Sequence, residues 1–195
     1  MKPANILVLD SSTQTLFLGL MQDGVVKGHH LEVLDRRHAE FMLPRIMQFL
    51  NRYQLTLNDL TDVVVGHGPG SFTGVRLALT LIKTLALIQP LRVYPISTLQ
   101  LFAYETKTII SLDARGGRRY VGVFEGQDIL LPPQVMTEKD LISCQQNFPQ
   151  FRVLTIESAY AQPLRILNHL QKLMPHLSPL IDVHALNPLY LKELG

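Results

Sequence analysis

The order of apolar runs at the start of the chain narrows the fold more than any other feature. Ile6-Leu7-Val8-Leu9 is a continuous apolar run ending in Asp10-Ser11-Ser12-Thr13, which reads as a buried strand entering a polar turn. Residues 15–21 form a second strand, Gln22-Asp23-Gly24 carries the Asp-Gly hairpin signal, and residues 25–33 form a third strand. The period then changes. From 37 to 53, Ala39, Met42, Leu43, Ile46, Met47, Phe49, Leu50 and Tyr53 fill a helical arc of about 160°, with Pro44 inside the first two turns, where it costs least. Val63-Val64-Val65 centres a buried strand over 60–66, residues 72–88 form a second helix, 91–96 a fifth strand, and 97–104 a short helix capped by Ser97 or Thr98.

Three antiparallel strands followed by strands joined through helical crossovers resemble the ribonuclease-H-like lobe of actin-type ATPases and sugar kinases. Residues 106–112 and 119–125 begin a second sheet in the same way, around Asp113-Ala114-Arg115-Gly116-Gly117. The expected architecture is therefore an α/β, actin-like, two-lobed fold. Its first lobe covers 1–104 and a smaller, incomplete second lobe covers 105–195. After Pro132-Pro133 the pattern weakens to helices near 138–144 and 164–174, a strand at 151–156 and a proline-punctuated tail. About 70 residues after Glu125 are few for a full second lobe.

Composition excludes several classes. A single cysteine, Cys144, rules out a disulfide framework and points to a reducing, cytoplasmic setting. No stretch reaches the ~18 apolar residues of a membrane span, and the first apolar run is too short for a signal-peptide core. With 18 basic against 16 acidic residues, the formal charge of +2 is not the footprint of a chain that holds nucleic acid alone.

Between the Val-rich strand and the second helix lies Gly66-His67-Gly68-Pro69-Gly70-Ser71-Phe72-Thr73-Gly74-Val75-Arg76. Glycines at such a junction let an anion or another backbone approach closely. No Gly-Lys-Ser/Thr follows, so this is not a Walker loop, and the spacing Gly-x-Gly-x-x-x-Gly does not match a dinucleotide fingerprint. Two readings of Gly68, Gly70, Ser71 and Gly74 stay open: a tight packing turn, or part of a nucleotide-binding loop. The same alternatives hold for Asp10, Ser11, Ser12 and Thr13, where actin-type ATPases place a phosphate-contacting hairpin. Catalytic residues do not emerge. None of the seven histidines form a His-x-x-x-His metal pair, and His67 alone sits in a plausible site.

The segment from Gly68 to Arg76, after its Val-rich strand, resembles the signature of the TsaB (YeaZ) family. The resemblance extends to Leu9-Asp10-Ser11-Ser12-Thr13, Arg37-His38-Ala39-Glu40, Pro95-Ile96-Ser97-Thr98-Leu99 and Asp113-Ala114-Arg115. It departs at Arg118-Arg119, where the family pattern has an acidic residue before the tyrosine. The resemblance implies a role in making threonylcarbamoyladenosine on tRNA, as a non-catalytic partner of the paralogue TsaD, supported by TsaE. It also implies pairing through the first two helices, a homodimer when alone, contact with tRNA only through the complex, and no resident cofactor or metal, with ATP at a complex interface left open. The runner-up is an ATPase or phosphotransferase with nucleotide between the lobes.

A physical argument points to pairing as well. On the second helix Val75, Leu77, Ala78, Leu79, Leu81, Ile82, Leu85, Ala86 and Ile88 span about 200°, wider than the ~100° stripe one sheet covers. The excess needs the first helix, the second lobe or another chain. The expected partner face is Ala39, Met42, Leu43, Ile46, Arg76, Leu79 and Lys83.

Overall fold

The computed structural model describes residues 3–191. The first sheet contains β1 (Asn5–Asp10), β2 (Thr15–Gln22), β3 (Val25–Val33), β4 (Asp62–Gly66) and β5 (Arg92–Ile96), in the order β3-β2-β1-β4-β5. β1, β2 and β3 are antiparallel, while β4 lies parallel to β1 and β5 parallel to β4. All six β1 residues are buried, as expected of a central strand covered on both faces. The crossovers are α1 (His38–Asn51) and α2 (Phe72–Ile88), and α3 (Thr98–Phe102) follows β5.

The second sheet repeats this plan. β6 (Lys107–Arg115), β7 (Arg118–Glu125), β8 (Asp128–Thr137) and β9 (Arg152–Thr155) stand in the order β8-β7-β6-β9, antiparallel except for the parallel β6–β9 pair. Thus β6 to β9 match β1 to β4. No strand among the described residues matches β5, so the second lobe is the shorter one, as expected. α4 (Glu138–Asn147) stands where α1 does, and the short α5 (Ile156–Ala159) and α6 (Pro163–Leu173) follow β9. This duplicated βββαβ plan defines the ribonuclease-H-like, actin-type class.

Two features depart from the sequence expectation. β8 continues across Pro132-Pro133, where the pattern weakens, and the two prolines fall at a register shift between the Val121–Gln134 and Val123–Leu131 pairs, so neither has a ladder partner on β7. It is an edge strand paired on one side, and there a missing N–H disrupts no second ladder. Residues 177–190, inside the range expected for the second lobe, return to the first. Leu180 N–H donates to Val93 O at 2.8 Å on the β5 edge, and Leu186, only 2% exposed, joins the core beneath α1 and α2.

The lobes are not separate bodies. One apolar core contains Val8, Phe17 and Tyr94 of the first sheet, Leu99 and Phe102 of α3, Ile110 and Phe124 of the second sheet, and Ile166, Leu167 and Leu170 of α6. Phe17, Phe102 and Tyr160 stack edge to face at 5.4 and 5.2 Å between centroids across this junction. Among the described residues no helix is long and apolar enough to cross a membrane.

Candidate functional site

The turn after β1 and the glycine loop after β4 come together at one end of the first sheet. Their polar atoms are engaged with each other. Asp10 Oδ1 accepts from Ser12 N–H at 3.0 Å and from the Ser12 hydroxyl at 2.7 Å, and Oδ2 accepts from the Thr98 hydroxyl at 2.8 Å. The side chain is fully buried, and burial pushes its carboxyl upward against these donors, which favour the charged form. The Ser11 hydroxyl donates to Gly74 O at 2.8 Å, and Ser71 N–H donates to Ser12 O at 2.6 Å.

The glycines are explained by this contact. A Cβ at Gly70 would collide with Ser12 O, and one at Gly74 with Ser11 O. The close approach they permit is loop against loop, and Ser71 also caps α2 by accepting from Gly74 N–H at 3.2 Å. The remaining loop member, Thr13, bonds Tyr160 across the lobes at 2.6 Å between hydroxyls, and burial holds the Tyr160 phenol well above its ordinary range. Gly68 lies beside Leu189.

Outside these loops lies an open cleft of about 720 Å³, lined by Thr13, Arg36, Ser71, Arg115, Glu157 and Tyr160 among others. It carries charges of both signs. The N-termini of α1 and α2, at His38 and Phe72, open onto it. His38 is buried, which lowers its pKa. His67 is also held neutral, because burial outweighs its hydrogen bond to the Asn187 backbone. Among the described residues no group of three or more His, Cys, Asp or Glu side chains is placed to hold a metal ion.

The expected partner face divides into three sets. Ala39 and Leu43 are exposed, Leu43 by 38%. Met42, Ile46 and Leu79 are instead buried in the first-lobe core at 3%, 0% and 3% exposure, which corrects the expectation that they face a partner. Arg76 and Lys83 lie at the surface, but the returning tail engages both: Arg76 Nε donates to the Tyr190 hydroxyl at 2.8 Å and Lys83 Nζ to His184 O at 3.0 Å. The wide apolar arc of α2 is therefore covered by the sheet, by α1 and by the tail. What stays open lies at two places that the expected partner face left out: Met47 at 53% exposure beside Leu43 on α1, and Leu87 and Ile88 at 67% and 72% at the far end of α2. Met47 lies one helical turn beyond Leu43, and that spacing was the available signal.

Duplicated ribonuclease-H-like lobes fused through one core, with the phosphate-hairpin position filled by its own side chains, define an actin-type protein. Residues 25–147 match the family model described as TsaD, tRNA N6-adenosine threonylcarbamoyltransferase. A Haemophilus influenzae protein described as tRNA threonylcarbamoyladenosine biosynthesis protein TsaB is 32% identical over 181 residues, covering 83% of this chain and 76% of that protein. The Bacillus subtilis TsaB is 32% identical over 142 residues, which is 70% of this chain. The chain spans 62% of the length of the Bacillus protein, under two thirds. A Pseudomonas aeruginosa crystal structure, described as similar to peptidase YEAZ, superposes with a TM-score of 0.77 at 20% identity, covering 97% of this chain and all of the other. The chain belongs to the TsaB family.

Proposed function

We propose that this chain is a non-catalytic subunit for threonylcarbamoyladenosine modification of tRNA, acting in the cytoplasm by pairing with a TsaD homologue and working with a TsaE homologue. Membership of the TsaB family, whose relatives carry that biosynthetic description, is the observation that supports this reading most. The open apolar row of Ala39, Leu43 and Met47 along one face of α1 supports pairing, since exposed apolar side chains grouped on a helix face favour burial against another chain. In the absence of a partner the same row closes a homodimer, and tRNA is held through the complex. On this reading the first lobe runs to residue 104 and the second begins at 105, with residues 177–190 returning to the first.

No nucleotide resides within the chain on this reading. Support comes from Asp10, which is fully buried and whose two carboxylate oxygens both accept protein donors. ATP at an interface with another subunit is compatible with the reading. The test is co-purification of the tagged chain with a TsaD homologue, alongside calorimetric titration with ATP and magnesium. Stoichiometric pairing with little nucleotide binding by the isolated chain is the expected result. Tight ATP binding by the isolated chain without pairing would favour an ATPase acting between the lobes.

A further inference from the structure

The open cleft between the lobes gathers arginines and exposed aromatic rings. Arg36 reaches it from the turn between β3 and α1, and Arg115 from the β6–β7 turn of the other lobe. Both side chains are exposed, and among the described residues neither guanidinium has a hydrogen bond or an ion pair. Phe72, in the first turn of α2, lines the same cleft at 58% exposure. The Arg76 guanidinium lies 3.9 Å from the centre of its ring, and the Tyr190 ring stands 5.9 Å from it. Phe72 and Tyr120 also line a smaller depression beside the cleft that ends at Tyr190, so the surface of rings and guanidinium groups is continuous.

Its charge favours an anion. Two carboxylates line the cleft with the arginines. Asp113 Oδ1 accepts the Arg115 backbone N–H at 2.8 Å, and Asp113 stands opposite Arg119 in the β6–β7 ladder, so its charge is engaged locally. Glu157 is the other, and Arg36, Arg76 and Arg115 outnumber it. The neutral chemistry narrows the class further. Rings and guanidinium planes both offer flat faces on which bases stack, and the exposed Ser71 and Thr73 hydroxyls add hydrogen-bonding groups for phosphate or sugar. Rings set in a cleft are reached by bases that have left their stack, whereas a duplex keeps its bases inside.

We propose that this cleft binds an unpaired loop of RNA, with a base stacked on Phe72 and phosphates held by Arg36 and Arg115. The inference rests on the reading that the chain serves tRNA modification, and it names the surface that the chain turns to that tRNA. A formal net charge of +2 keeps the contact weak in the isolated chain and makes it an addition to what a TsaD-type partner supplies.

The test is fluorescence anisotropy with a labelled RNA hairpin carrying an unpaired loop, a blunt duplex of the same stem, and an acidic peptide of equal charge. Each is titrated into the full chain alone and into its complex with a TsaD homologue. The chain should take the loop about tenfold or more tightly than the duplex or the peptide. Phe72→Leu should weaken loop binding about tenfold and leave its salt dependence unchanged. Arg36→Gln and Arg115→Gln should each lower the slope of log affinity against log salt by about 0.7. All three positions are exposed, so urea unfolding and pairing with the TsaD homologue should stay close to the wild type. Absence of loop binding, equal binding of loop and duplex or of loop and peptide, wild-type affinity in Phe72→Leu, or a wild-type slope in either arginine variant overturns the proposal. Loop-selective binding by a chain that does not pair with the TsaD homologue upholds it and overturns the pairing reading instead.

Discussion

His169 joins the two lobes, and its titration makes the fused core measurable. It lies on α6, is 9% exposed, and hydrogen-bonds the backbone of Gln100 on α3, while its Nε2 is buried without a protein partner. Burial, the largest cause, lowers its pKa from 6.5 to about 4. The imidazole is thus neutral in the folded protein at every pH above about 4, whereas in the unfolded chain it takes up a proton near its ordinary value. Between these two values the unfolded state binds more protons, so stability rises with pH across the window and is lost as pH falls through it. At about 1.4 kcal/mol per pH unit the full window is worth about 3 kcal/mol. Urea unfolding at pH 7.5 and pH 4.5 gives the loss for the wild type, and His169→Gln, which cannot titrate, gives the background from all other groups. The variant should be less stable at pH 7.5, with its loss on acidification smaller by about 2–3 kcal/mol. An equal loss in the two proteins would refute the argument that a neutral imidazole is sealed between α6 and α3.

Three further outcomes follow from the geometry. Leu43→Asp, on the open face of α1, should change stability by less than about 1 kcal/mol yet weaken partner binding about 30-fold or more, whereas Ile46→Asp, fully buried one turn away, should cost more than about 4 kcal/mol and fail to fold, as thermal melts and surface binding will show. Gly74→Ala drives a methyl group into the Ser11 carbonyl and should destabilise by about 2 kcal/mol or more in urea unfolding, with no change in ATP binding. Tyr160→Phe removes the hydroxyl contact with Thr13 across the lobes and should cost about 1–2 kcal/mol in the same assay while pairing persists.

The first lobe was legible because each of its elements keeps one period from end to end. Continuous apolar runs marked β1 and β4, and the 3.6-residue stripe marked α1. The meeting of the Asp10–Thr13 turn with the glycine loop was foreshadowed by small and polar residues at both, although their mutual saturation is a property of the assembled pair. Leu79 and Ile46 were misplaced for a definite reason. An apolar arc reports how much of a helix is covered and is silent on what covers it, and here the cover of α2 includes a tail a hundred residues further along the chain. That tail was itself unreadable by the usual templates, since a three-residue period broken by Pro179 and Pro188 matches neither strand nor helix. β8 was missed because prolines argue against a strand unless the strand lies at an edge, and edge position emerges only from the sheet order.

On the proposed reading this chain acts by pairing, through α1 and α2, in the modification of tRNA. Its most direct test is the threonylcarbamoyladenosine content of tRNA in a reconstituted reaction containing TsaD and TsaE homologues, with the wild-type chain, with folded Leu43→Asp, or with neither. Modification is expected with the wild type, and little or none in the other two reactions. Equal modification without the chain, or undiminished modification with Leu43→Asp, would contradict it.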